Sequence, residues 1–161
     1  MRPICFLIPI AVLASCAGCS SFDAKWRAAE GRGGSRYASR WDGRWTSEHH
    51  KTLSGSASGG RLRCVIEPVD NNRILAHFHA NWLAFSGDYS VPLKAKRSVP
   101  QAGSSTVVEY VGTHELPKVF GGVYHYAAWI SADRFTARYT STYDRGRFEM
   151  TRQLTKPMPI H

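Results

Sequence analysis

Little in this chain points to chemistry. Its four cysteines, Cys5, Cys16, Cys19 and Cys64, are too few and too unevenly placed for a disulfide framework. The apolar stretch at residues 4–14 falls short of the about 20 residues that a permanent membrane-crossing helix needs. Acidic residues are outnumbered, 12 against 21 Lys and Arg. Glu67, Asp88, Glu109, Asp133 and Glu149 stand singly, so no carboxylate pair suggests general acid and base work. Serines cluster in loops such as 54–58 and 104–105 without a Gly-x-Ser-x-Gly elbow or a nearby acid and histidine pattern. No glycine-rich phosphate loop precedes a helix. The sequence therefore gives no catalytic residues and implies no enzyme and no cofactor.

What is present begins with an address. Arg2 is the only charge before the apolar stretch, which ends in Leu13-Ala14-Ser15-Cys16. That arrangement reads as an export signal over 1–15 followed by a bacterial lipobox: an apolar residue, two small ones, then the cysteine whose thiol takes diacylglycerol. Cys16 is the expected lipidation site. Ala17 after it, rather than Asp, points to the outer membrane, facing the periplasm, under enterobacterial-type sorting. Cys5 would leave with the signal, Cys19 would lie three residues from the lipid, and Cys64 is expected as a buried free thiol. Without Arg2 the chain keeps 20 basic and 12 acidic residues, a formal charge of +8. For an exported protein with scattered basic residues, anionic head groups or envelope polymers are the expected counter-charge, and a solvated cationic surface without a partner accounts for the excess equally well; nucleic acid is not an expected partner.

Residues 16–40 have little apolar period and end in glycines, which reads as a flexible tether with at most one helical turn. Beyond them, Thr, Val, Tyr, Phe and Trp alternate with polar residues over short segments separated by Gly, Asn and Asp, the texture of an all-β domain over 41–156 with a tail at 157–161. The period-2 pattern predicts strands at 41–48, 61–67, 73–82, 89–96, 106–113, 123–130, 134–143 and 147–154. Short links, Asp70-Asn71-Asn72 and Asp144-Arg145-Gly146 among them, imply an eight-stranded antiparallel up-and-down barrel. In the strand at 73–82, Ile74, Ala76, Phe78, Ala80 and Trp82 are expected inward, with Arg73, Leu75, His77, His79 and Asn81 facing solvent.

The chain also repeats itself at a shift of about sixty residues. Gly59 to Cys64 falls on Gly121 to Tyr126, and Arg73, Ile74, Ala76 and Phe78 fall on Arg134, Phe135, Ala137 and Tyr139. Duplication and the shared period of any two amphipathic hairpins both account for this. The domain opens on Trp41 and Gly43-Arg44-Trp45, which resembles the Gly-x-Trp start of calycin barrels such as lipocalins, fatty-acid-binding proteins and avidins. The resemblance implies that Trp45 closes one end of the barrel; the sequence offers no later arginine to place over Trp45 as lipocalins do. The whole domain also resembles small bacterial lipoproteins without an assigned activity, through the Trp-x-Gly-x-Trp start, a Phe-His-Ala strand and a late Gly-Gly-Val-Tyr segment.

His77 and His79, two apart in a strand, could share a metal with a third imidazole, but their strand carries no acid, so exposed polar histidines and no metal site are expected. The inward face is the remaining candidate. Phe78, Trp82, Tyr124, Tyr126, Tyr139 and Tyr143 are its expected ligand-contact residues, interspersed with Ala76, Ala80, Ala128, Ala137 and Ser141. Such a lumen either holds one small apolar or amphipathic ligand or is filled by its own rings. The first case gives a membrane-anchored lipoprotein that binds a small molecule in the cell envelope. The second gives a protein-binding lipoprotein, a hydrolase inhibitor or assembly factor, acting through its surface.

Overall fold

The computed structural model describes residues 17–30, 39–51, 57–82, 85–100, 106–118 and 122–154. Residues 1–15, expected as an export signal, Cys16 and the tail 157–161 lie outside the described residues. Among the described residues one helix, α1 (Ala17–Ala28), precedes eight strands: β1 (Arg40–Lys51), β2 (Ala57–Pro68), β3 (Arg73–Trp82), β4 (Phe85–Pro100), β5 (Thr106–Glu115), β6 (Val123–Ile130), β7 (Arg134–Thr140) and β8 (Arg145–Gln153). Each strand pairs antiparallel with the next, and β1 pairs with β8 from Arg40↔Gln153 to Ser47↔Gly146, so the sheet is a closed up-and-down barrel with no free edge.

Alternation decides which residues fill it. Ile74, Ala76, Phe78 and Ala80 are buried in one continuous core with residues from every other strand, as the period-2 pattern predicts. The side chain of Trp82 lies outside the described residues. The two similar halves share their register: Cys64 pairs with Phe78 as Tyr126 pairs with Tyr139, and Ile66 pairs with Ala76 as Ala128 pairs with Ala137. Strong curvature needs glycine where the sheet bends. At Gly43, an inward position between Trp41 and Trp45, a Cβ would run into the backbone of Glu149 and Met150 on β8.

The two tryptophans of the opening motif divide their work. Trp45 is buried toward the end where β1, β3, β5 and β7 finish, and its indole N–H donates to the Asn81 carbonyl at 3.0 Å. Trp41 is fully buried toward the opposite end, edge-on to Phe135 with ring centroids 5.8 Å apart. Arg152 is its direct cross-strand partner on β8. An arginine therefore does stand opposite an opening tryptophan, but that tryptophan is Trp41; the end of the barrel at Trp41 is termed the floor.

Residues 17–28 differ from the expected tether. Phe22, Trp26 and Ala29 fall at i, i+4 and i+7, one stripe of a helix, and Lys25 and Arg27 occupy the last turn, where cations suit the helix dipole. Phe22 and Ala29 are buried against Val65 on the outer wall, with Trp26 packed beside them. The helix is thus docked onto the barrel rather than loose beside it. Residues 31–38 lie outside the described residues.

Candidate functional site: the tyrosine-lined mouth and the helix seat

The lumen has two zones. Toward the floor, Trp41, Ile66, Ile74, Phe135 and Met150 leave aliphatic and ring surfaces in mutual contact. A second layer of rings follows: Phe78 stands 6.1 Å from Phe135 and 5.4 Å from Phe148, centroid to centroid. Above it, at the end where β1, β3, β5 and β7 finish, the lining changes to phenols. Tyr89 stacks on Phe78 at 5.2 Å and on His114 at 5.7 Å. Tyr126 and Tyr139 lie 6.4 Å apart, each within contact of Phe148, and Tyr124 lies 5.9 Å from Tyr139.

These phenols lie close together. Burial pushes the Tyr89 hydroxyl well above its usual value, and Tyr126, Cys64, Tyr139 and Tyr124 add to the shift. Tyr126 and Tyr139 are raised in the same direction, chiefly by burial; Asp144 adds to the effect on Tyr139. Burial also holds His114 below the ordinary histidine value. Tyr139 donates to Asp144 Oδ2 at 3.0 Å, and Asp144 Oδ1 accepts from Ser47 at 2.7 Å, which ties the β7–β8 turn to β1 across the seam. Tyr126 is only 7% exposed. Among the described residues neither Tyr126 nor Tyr89 has a hydrogen-bond partner for its hydroxyl, and neither oxygen is sealed from solvent. Since buried phenols ordinarily find a partner, the mouth presents two unclaimed donors above a floor of rings.

The structure brings Phe78, Tyr124, Tyr126 and Tyr139 together as the sequence suggests and adds Tyr89 and His114. It removes Tyr143, which is 63% exposed. The expected strand 134–143 stops at Thr140 because the Ser141 hydroxyl accepts from the backbone N–H groups of Tyr143 and Asp144, closing a side-chain turn that breaks the alternation. Ser141 therefore belongs to that turn rather than to the barrel wall.

The second cluster lies outside, on the wall of β2, β3 and β4. His77 and His79 are not solvent-facing as expected, because α1 covers their strand. His77, 9% exposed, shares hydrogen bonds with Ser90 at 2.7 Å and Glu67 at 2.9 Å, and Lys25 of α1 donates to Glu67 at 3.0 Å. His79 bonds Asp88 at 2.5 Å, and the Phe22 ring of α1 lies over its imidazole at 5.3 Å. Arg63 lies over both Phe22 and Trp26 and reaches Asp23 at 3.4 Å; Arg40 pairs with Glu30 and lies over Trp26. Partial burial opposes ionisation of Glu67, yet the bonds from His77 and Lys25 outweigh it and hold the carboxyl below the usual range. The Glu67, His77 and Ser90 chain joins an acid, an imidazole and a hydroxyl that lie apart in sequence. Cross-strand pairing of His77 with Ser90 brings it together, and α1 engages its acid end. A cleft of about 260 Å³ remains beside the helix, lined by Ala24, Ala28, Val65 and Ile66 among others. Among the described residues no three His, Cys, Asp or Glu side chains converge on a metal position.

No protein-family model matches the chain, and no curated protein does either. No helix among the described residues is long and apolar enough to cross a membrane.

Proposed function

We propose that this protein is an envelope lipoprotein, anchored through lipid on Cys16, that binds one small amphipathic molecule in the tyrosine-lined mouth of its barrel. The observation that carries the binding role is the pair of unclaimed phenol donors of Tyr126 and Tyr89. They stand over the rings of Phe78 and Phe148 and suit a ligand that places an apolar body on the rings and an acceptor group against the hydroxyls. The ring-filled lower lumen stops such a ligand from reaching the floor, so the site is a shallow cup rather than a through cavity. The anchor reading rests on the lipobox and the basic excess of the chain.

A chain starting at Ala17 keeps every described residue and suits a binding test with anilinonaphthalene sulfonate, alongside native mass spectrometry for co-purifying molecules. One probe should bind per chain. Tyr126→Phe should weaken it about 2- to 13-fold, the effect of losing one neutral hydrogen bond of about 0.5–1.5 kcal/mol. Absence of both probe binding and any co-purifying molecule sinks the cup. The filled lower lumen then favours the other reading, a protein-binding lipoprotein acting through its surface. For the anchor, Cys16→Ala should abolish fatty-acid labelling, and continued labelling of that variant refutes the assignment.

A further inference from the structure

We infer that α1 holds the barrel with its tyrosine-lined end against the membrane surface, so that the cup takes its ligand from the bilayer. The inference rests on the acylation of Cys16 proposed above. Helix α1 begins at Ala17, the residue after that cysteine, which leaves no flexible spacer between lipid and helix. Its direction follows from its contacts: Phe22 sits on His79, three residues before the mouth end of β3, while Lys25 reaches Glu67 and Glu30 reaches Arg40, both toward the floor. The helix therefore runs from mouth to floor. With a rise of about 1.5 Å per residue, its first residue lies about 7.5 Å beyond Phe22, and at about 3.3 Å per residue the end of β3 lies about 10 Å beyond His79. The lipid-bearing end of α1 is thus near the level of the barrel rim.

The docking is specific enough to transmit that position. Phe22 is 2% exposed, and aromatic stacking, three arginine–ring contacts and two ion pairs fix the helix to β1, β2 and β3, with a third ion pair from Glu30 just beyond it. The rim it points toward offers Tyr143, Val123 and Lys118, all exposed: a phenol, an apolar side chain and a cation that suit the head-group layer. The opposite end is about 25 Å away, from a ten-residue strand at about 40° tilt, and its β2–β3 hairpin carries Asp70, Asn71 and Asn72.

The test uses the full lipoprotein in vesicles of phosphatidylethanolamine and phosphatidylglycerol containing a nitroxide-head-group lipid. In a Cys19→Ser background, with Cys64 buried, Tyr143→Cys and Asn71→Cys each receive one fluorophore. The label at 143 should be quenched several-fold more than the label at 71, and Phe22→Ala should level the two. Equal quenching in the parent protein, or a stronger effect at 71, overturns the orientation while leaving the anchor intact. Asymmetry that survives Phe22→Ala overturns the role of α1. Failure of the parent lipoprotein to float with the vesicles is a different result: it removes the anchor reading and the orientation with it.

Discussion

Tyr139 and Gly146 are direct cross-strand partners, and the phenol occupies the space that a side chain on Gly146 would need: a Cβ there would stand 2.5 Å from the Tyr139 oxygen and 2.7 Å from its Cζ. The same Cβ would run into the Thr46 carbonyl on β1. Gly146 therefore seats the ring that bonds Asp144 and lines the cup. Gly146→Ala should cost on the order of 1–3 kcal/mol or more in urea unfolding, as overpacking does. Because the ring must move, it should weaken probe binding as well. A neutral effect on both would mean that Tyr139 does not lie across this position.

The opening tryptophans should respond differently to the same change. Trp45→Phe removes the donor to Asn81, whereas Trp41→Phe removes a buried indole N–H that has no partner. Both leave a similar small void, so Trp45→Phe should be about 1–2 kcal/mol more destabilising than Trp41→Phe. Truncation to Ala should cost about 3–5 kcal/mol at either site. Equal costs for the two Phe variants would show that the Asn81 bond contributes nothing net.

Ala137 is buried between Ala128 on β6 and Phe148 on β8. Ala137→Phe puts a second ring where Phe148 already meets Phe78, and should cost about 1–3 kcal/mol. Unchanged stability together with lost probe binding would place empty space at this level of the lumen.

Glu67 predicts an acid-sensitive helix. Its folded-state value is depressed below the ordinary 4.5, so the ionised form favours docking. The contribution is fully present above about pH 4.5 and is lost as pH falls through the lower folded-state value. Fluorine NMR on fluorotryptophan-labelled protein should show Trp26 leaving its packed environment on acidification below that point. In Glu67→Gln the transition should vanish and the docked population at neutral pH should fall. An unchanged transition in that variant would assign it to another group, such as Glu109, whose carboxyl the hydrogen bond from Arg97 holds low.

The barrel was legible because strand period and short links leave few alternatives, and Ile74, Ala76, Phe78 and Ala80 went inward as their spacing required. The inward tyrosines followed from the same rule. Tyr143 did not, because Ser141 competes for the backbone with a turn that alternation cannot foresee. Asp144 was out of reach for a different reason: its partner Ser47 lies 97 positions away. The burial of His77 and His79 is not legible in the same way, because strand period gives a face but not what covers it. The cover was written in Phe22, Trp26 and Ala29, a helical stripe within a stretch whose glycines and charges suggested a tether.

Pairing of β1 with β8 has a kinetic side. The seam joins Arg40 to Gln153, so it is the most non-local pairing in the domain and closes only when the last strand has been made. Until then the sheet has two open edges, each able to pair with a second copy, and loop closure over such a separation slows the final step. A nascent chain stopped before β8 should thus persist as an association-prone open sheet, and the residues that zip the seam, Trp45 with Phe148 and Ser47 with Gly146, govern how briefly that state lives.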